Sequence, residues 1–273
     1  MLKRIRQIPL YVLAILLLLF TGIPFFVMVS TSFKTQIEFM SSPWSLPESL
    51  SFENYRLLLE SEFFRFFFNS VVVSVISVVA VIVLAAMASY PLARMRFKLN
   101  RPLFILFLVG MMIPIHTTLI PIFLLTKNMG LYDTIWALPG PYIAFALPVS
   151  IIIFTQFLKD LPKELEESAK MDGCGPFRLF WKILFPLLTP AVATVAIYNF
   201  IQIWNEFIFA LVLTNSEENA TLPLGLREFY GQFSVNVPGI MAALTLGSLP
   251  LLLIYLVAQE KIVKGIAAGS VKG

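Results

Sequence analysis

Catalysis needs polar groups brought together, and this sequence keeps its few candidates apart. His116 is the sole histidine, with no second histidine or carboxylate at ligand spacing, so no metal centre is expected. Cys174 is the only cysteine, which rules out an internal disulfide and fits a reduced thiol. No histidine pair, carboxylate pair or activated serine arrangement occurs, and no glycine-rich loop ending in lysine and serine or threonine is present to hold nucleotide phosphates. Two groupings remain. Glu206 is the only acid in its apolar run, beside Trp204 and Asn205, with Asn199 and Gln202 earlier on the same run. An acid at membrane depth is a functional candidate by default; here it either shapes a pathway or gate, or packs against a partner. Asn199 and Gln202 either line the interior or make structural hydrogen bonds. The second grouping is the polar segment Leu161-Pro162-Lys163-Glu164-Leu165-Glu166-Glu167-Ser168-Ala169-Lys170-Met171-Asp172-Gly173.

The elements that position these groups are built for lipid. Hydrophobic residues make up 58% of the 273 and charged residues 13%, with a mean hydropathy of +0.85. Soluble domains run at about 45–50% apolar and about 25% charged. A bilayer crossing takes roughly 20 apolar residues, and six stretches qualify: 9–30, 66–90, 103–125, 135–158, 187–213 and 239–258. Valine-rich 71–83 would suit a buried strand, but a run of about 25 residues far exceeds a strand of about 5–6. The expected fold class is all-α, a polytopic membrane protein with six transmembrane helices in a single domain, 1–273, carrying a cytoplasmic loop at 159–186.

The first apolar run outlasts a signal-peptide core of about 7–15 residues and no small-residue cleavage site follows at once, so it reads as a retained span. Basic residues are held on the cytoplasmic side. Of the 20 lysines and arginines, fifteen fall on the side of the two termini and of Glu167, leaving Lys34, Arg56, Arg65, Lys127 and Arg227 outside. Both termini are then cytoplasmic. The net charge of +4 and pI near 9.2 reflect that bias and point to no nucleic-acid partner. Pro114 and Pro121, Pro139, Pro141 and Pro148, and Pro190 each remove a backbone donor and are expected to kink their spans. Ser70 with Ser74, and Ala85 with Ser89, permit close helix approach or ordinary bundle packing. Outside the spans, 33–65 predicts a connector with a short amphipathic helix over 52–59, and 214–238 is polar and punctuated by glycine and proline.

In the polar segment, Pro162 suits a first helical turn, Glu164 lies near its positive end, and Gly173 can take the left-handed conformation that stops it, giving about ten residues of helix. Gly175 and Pro176 start a second helix, with Phe177, Phe180, Trp181 and Leu184 on one face and Arg178 and Lys182 elsewhere. Ser168 and Ala169 are small enough to let a partner approach. From charge alone, a solvated loop without a partner is the default.

Family resemblance displaces that default. The spacing of Glu167-Ser168-Ala169, Asp172-Gly173 and Ile183 to Pro186 resembles the EAA loop by which permease subunits of bacterial ABC importers dock onto their ATPases. Gly130-Leu131-Tyr132-Asp133-Thr134, Trp204-Asn205-Glu206-Phe207, Thr221-Leu222-Pro223-Leu224-Gly225-Leu226 and the tail 264–273 extend the likeness. Together the chain resembles the second, smaller permease of carbohydrate importers of the maltose-transporter type. It departs at Ser168, where the pattern has alanine.

The resemblance implies ATP-driven import of a sugar or oligosaccharide by alternating access across the bacterial cytoplasmic membrane. The implied partners are a homologous permease, two ATPase subunits that bind ATP and Mg, and an extracytoplasmic solute-binding protein; this chain itself binds no cofactor and is not an enzyme. Coupling would fall to Glu167, Ser168, Ala169, Asp172 and Gly173, with Glu167 the ionic contact. The binding protein would meet Leu224, Gly225, Leu226, Arg227 and Glu228 within 214–238, and the tail would enter the ATPase interface. Pathway candidates are Asn199, Gln202, Trp204, Asn205 and Glu206. A permease for a glycerol-phosphate compound or polyol is the alternative within the class. A secondary transporter would show coupling charges in several spans and often a repeat, and these spans are nearly free of charge.

Overall fold

The computed structural model describes the backbone of residues 2–229 and 236–270, with side chains described for 9–227 and 236–257. Among the described residues there is no strand. In chain order the helices are α1 (Leu2–Ser32), α2 (Gln36–Ser41), α3 (Glu53–Glu60), α4 (Phe63–Arg94), α5 (Asn100–Gly110), α6 (Leu119–Asn128) and α7 (Pro139–Asp160). They continue with α8 (Glu164–Met171), α9 (Pro176–Leu179), α10 (Phe185–Leu187), α11 (Thr189–Trp204), α12 (Ile208–Leu213), α13 (Leu222–Gly225) and α14 (Val237–Ser270). A π-helical turn, Phe180–Leu184, joins α9 to α10.

Four segments are long and apolar enough to cross a membrane: Pro9–Ser32, Phe63–Arg94, Ile135–Asp160 and Val237–Val257. Two bent pairs bring the number to six if each is one crossing. The sequence predicts one span each at 103–125 and 187–213, kinked at Pro114 and Pro121 and at Pro190, and the structure breaks both. Asn100–Gly110 and Ile115–Asn128 meet at 95°, because Pro114 is extended (φ −64°, ψ 128°) and can donate no helical N–H. Pro176–Leu187 and Thr189–Trp204 meet at 74°, and a further break separates α11 from α12. Pro190 opens α11 just after that 74° bend, whereas Pro121, Pro139 and Pro141 sit in first turns, where no intrahelical N–H is needed and no kink follows, and Pro148 lies inside α7.

The chain forms two compact units, 1–65 with 225–250, and 66–224 with 251–273. In the first, Lys34 is fully buried, donating to the Ser42 carbonyl (2.9 Å), the Pro43 carbonyl (3.3 Å) and Ser45 Oγ (3.2 Å). Asn54 of α3 donates to the Ser32 and Lys34 carbonyls, so this helix closes onto the end of α1.

The second unit holds the larger core. Ser70, Ser74, Ser77, Val81, Ala85 and Ser89 form a buried stripe along α4. Ser89 Oγ reaches the Ile151 carbonyl of α7 at 3.0 Å. Val81, Ala85 and Tyr90 pack with Ile151, Phe154 and Leu158 of α7, Ala169 of α8, Leu179, Phe180 and Leu184, and Leu188, Ala191 and Val195 at and beyond the start of α11. One apolar cluster therefore links two membrane-length helices to the polar segment 161–173.

Candidate functional site

The polar segment folds as a short helix with one face in that core. Glu166 and Ala169, three residues apart, are the buried positions of α8; Glu167, Ser168, Lys170, Met171, Asp172 and Gly173 are exposed. Gly173 takes φ +76°, where a side chain is unfavourable, and ends the helix: its N–H donates to the Lys170 carbonyl (3.0 Å) and that of Cys174 to the Ala169 carbonyl (2.9 Å). The apolar face expected of the following helix is only partly inward. Phe180 and Leu184 are buried and Trp181 is half-buried, but Phe177, in the first turn beyond reach of the core, is exposed. Ala169 likewise turns inward, whereas the sequence reading has it admitting a partner.

Glu166 is anchored. Its Oε1 lies 2.7 Å from Arg94 Nε, both side chains buried, and Arg94 Nη2 donates to the Leu161 carbonyl at 2.7 Å. The Nε–H is poorly aligned on the carboxylate, so that contact is an ion pair more than a directed hydrogen bond. Four residues earlier on α4, Tyr90 meets the Phe180 ring with centroids 5.5 Å apart.

At the second grouping, the chain breaks between α11 and α12 and Glu206 fills the gap. Its Oε1 accepts the N–H groups of Ile208 (2.8 Å) and Phe209 (2.9 Å), and its Oε2 accepts the Tyr142 hydroxyl of α7 (2.6 Å) and, weakly, the Ala210 N–H (3.4 Å). An acid at a helix start satisfies amides that otherwise lack partners. Glu206 also lines a cavity of about 200 Å³ with Tyr142, Phe145, Tyr198, Asn199 and Gln202. The other candidates divide. Asn199 is buried and donates to Ser150 Oγ (2.9 Å) and the Val195 carbonyl (2.8 Å), tying α11 to α7. Trp204 is buried, stacked on Phe200 and edge-on to Phe67. Asn205 is exposed and points back to the Ile201 carbonyl, leaving Gln202 as the exposed amide on the cavity wall.

A third cluster fixes segment 213–222. Asp133, at φ +59°, accepts the N–H groups of Asn215 (2.8 Å) and Ser216 (2.7 Å) on Oδ1 and the Ser216 hydroxyl on Oδ2. These hydrogen bonds, the Ser216 hydroxyl first, hold its carboxyl below the ordinary carboxylate pKa. Asn219 donates to the Asp133 carbonyl (2.7 Å), and Asn69 of α4 donates to the Glu218 and Ala220 carbonyls. Beyond this, Leu224 and Leu226 are half-buried, Gly225 is buried and Arg227 exposed; the Glu228 side chain and residues 230–235 lie outside the described residues, as do the tail's side chains and 271–273 altogether.

The family described as binding-protein-dependent transport system inner membrane component matches residues 81–268, the stretch that contains all three clusters except Phe67 and Asn69. The chain belongs to that family. This ABC permease is 49% identical over 256 residues to a putative ABC transporter permease protein of Caldicellulosiruptor sp., covering 93% of each chain. It is 35% identical to a diacetylchitobiose uptake system permease protein of Streptomyces coelicolor, covering 93% and 94% of the two chains. In fold it superposes on a chain of a bacterial ABC transporter involved in import of the acidic polysaccharide alginate with a TM-score of 0.82, at 23% identity, covering 94% of this chain and 96% of that one. The expected fold class, an all-α ABC importer permease, stands.

Within the permease, Glu167, Ser168, Asp172 and Gly173 are all exposed, while Ala169 is buried. Gln202 and Glu206 share a cavity with Asn199, while Trp204 and Asn205 point elsewhere. Sequence reasoning overlooked Arg94, Glu166, Tyr142 and Asp133 as individual participants. Two signals were available: Glu166 stands three residues before Ala169, on the same helical face, and Asp133 lies within the Gly130 to Thr134 run that carries the family likeness.

Proposed function

We propose that this permease subunit moves a sugar or oligosaccharide across the bacterial cytoplasmic membrane by alternating access, driven by ATP hydrolysed elsewhere. The observation that carries the saccharide class is the likeness, over more than nine-tenths of both chains, to the diacetylchitobiose permease. Relatives named for arabinooligosaccharides and for melibiose, raffinose and stachyose add to it. Tyr142, Tyr198 and Gln202 on the cavity wall are the aromatic and amide groups that suit sugar faces and hydroxyls.

In this reading both termini are cytoplasmic. A homologous permease completes the pathway, and two ATPase subunits supply the ATP and Mg chemistry. The exposed side of α8 docks the ATPase: Glu167 offers the charge, Met171 and Phe177 offer apolar contact, and Gly173 sets the end of the helix. Segment 214–238, with Leu224 to Glu228, receives the solute-binding protein from the outer side, and the cluster on Asp133 braces its first residues, 215–219. Reconstitution with and without the partners tests this. The full complex should accumulate saccharide only with ATP and binding protein, and the chain alone should neither hydrolyse ATP nor accumulate sugar. ATPase activity or concentrative uptake by the chain alone would overturn the proposal.

A further inference from the structure

We propose that the Arg94–Glu166 ion pair is a latch through which displacement of α8 is delivered to α4, setting how much substrate moves per ATP. The inference rests on the reading of α8 as the ATPase-docking helix, and it concerns the face turned away from the dock. Glu166 is buried while its neighbour Glu167 is exposed, so Glu166 takes no part in a docking surface. A buried ion pair is poor value as a stabiliser, since apolar residues of similar volume hold a fold as well or better, whereas losing one partner strands a charge. What such a pair does supply is a fixed registry between two elements.

Here the registry is unusually well placed. Arg94 is the last residue of α4, and its one guanidinium grips both Glu166 on α8 (2.7 Å) and the Leu161 carbonyl in the turn between α7 and α8 (2.7 Å). One turn back, Tyr90 of the same helix bears on Phe180 in the π-helical turn that leads into α11. The end of α4 therefore holds both limbs of the polar loop, one by charge and one by ring contact. The charges are excluded from water, so salt screens their attraction little. A push on α8 is thereby passed to α4.

The test uses the assembled complex in proteoliposomes, scored by saccharide imported per ATP. The probes are raffinose, arabinotriose and N,N′-diacetylchitobiose, taking whichever the wild type accumulates. Glu166→Gln and Arg94→Gln should assemble with the ATPase at wild-type yield yet lose about fivefold or more in that ratio, the size of a typical coupling energy between sites. The exchange Arg94→Glu with Glu166→Arg should recover most of the loss. Spin labels at Met87→Cys on α4 and Leu165→Cys on α8, in a Cys174→Ser background, should show a broadened distance distribution in each single variant and a narrowed one in the exchange.

An unchanged ratio in the single variants overturns the latch. So does loss of ATPase capture by them, which would make the pair part of the dock, and so does an assembled exchange variant no better than the singles. Glu167→Lys in the same preparation separates the two readings. If it leaves ATPase capture intact, the docking assignment of α8 fails; if it lowers capture while Glu166→Gln leaves the ratio unchanged, the latch alone fails.

Discussion

Gly173→Ala isolates the cost of one backbone conformation at the proposed dock. The residue sits at φ +76°, and a Cβ built there meets nothing within 4 Å, so crowding contributes nothing and the penalty is the left-handed conformation itself. That penalty is about 1–2 kcal/mol for an ordinary L-residue, less for asparagine and more for a β-branched side chain. If the ATPase needs the closed end of α8, 1–2 kcal/mol lowers capture by about fivefold to thirtyfold for alanine. The order of binding should run glycine, asparagine, alanine, valine. The assay is a titrated pull-down of the ATPase on permease in detergent or nanodiscs. Gly175→Ser is the control, because Gly175 has φ −68° with open space around it and serine is a favoured cap there. Valine binding as well as glycine, or Gly175→Ser costing as much as Gly173→Ala, would refute the conformational argument.

Four further outcomes are expected. Ser168→Ala removes a poorer helix former from an exposed site of α8 and should stabilise it by about 0.5 kcal/mol without weakening ATPase capture, checked by the same pull-down and by thermal unfolding. Glu206→Ala strips the first amides of α12 and the Tyr142 hydroxyl of their acceptor and should cost about 0.5–2 kcal/mol or more in thermal stability; Glu206→Gln, which keeps one acceptor oxygen, should lose less. Because the Asp133 carboxyl is held below its ordinary value of 3.8, its contribution is present above that pH and fades as pH falls through the lowered one; protease nicking of 213–222 should rise below about pH 4 in the wild type and lose that dependence in Asp133→Asn. A cysteine at Asn219, in a Cys174→Ser background, should react with an impermeant thiol reagent outside intact cells, and labelling only after permeabilisation would reverse the topology.

The crossings were legible because length and apolarity decide them one run at a time, with no knowledge of partners. The loop was legible for a related reason: Glu164 and Gly173 are local signals for starting and stopping a helix, and α8 runs from Glu164 to Met171 with Gly173 left-handed, although Pro162 stands before the first turn rather than in it. Prolines read less well, since the same residue bends a helix from its interior and opens one from its first turn. Pro114 and Pro121 carry the same chemistry, yet only the first stands in an extended break.

The acids show most sharply where local reading stops. Glu166 and Glu167 are adjacent and chemically alike, and what separates them is a rotation of about 100° on a helix, which matters only because Arg94 waits on one side. Glu206 looked like a lone charge in lipid; backbone amides of the next helix and a tyrosine satisfy it, and those amides are exposed to it only because the helix breaks at its own position. Carboxylate and break therefore require each other: an unbroken helix would leave the acid without those partners, and a break without the acid would leave donors unmet at membrane depth. A discontinuity held open in this way keeps α11 and α12 as separate helices beside a cavity, which suits the alternating access proposed above.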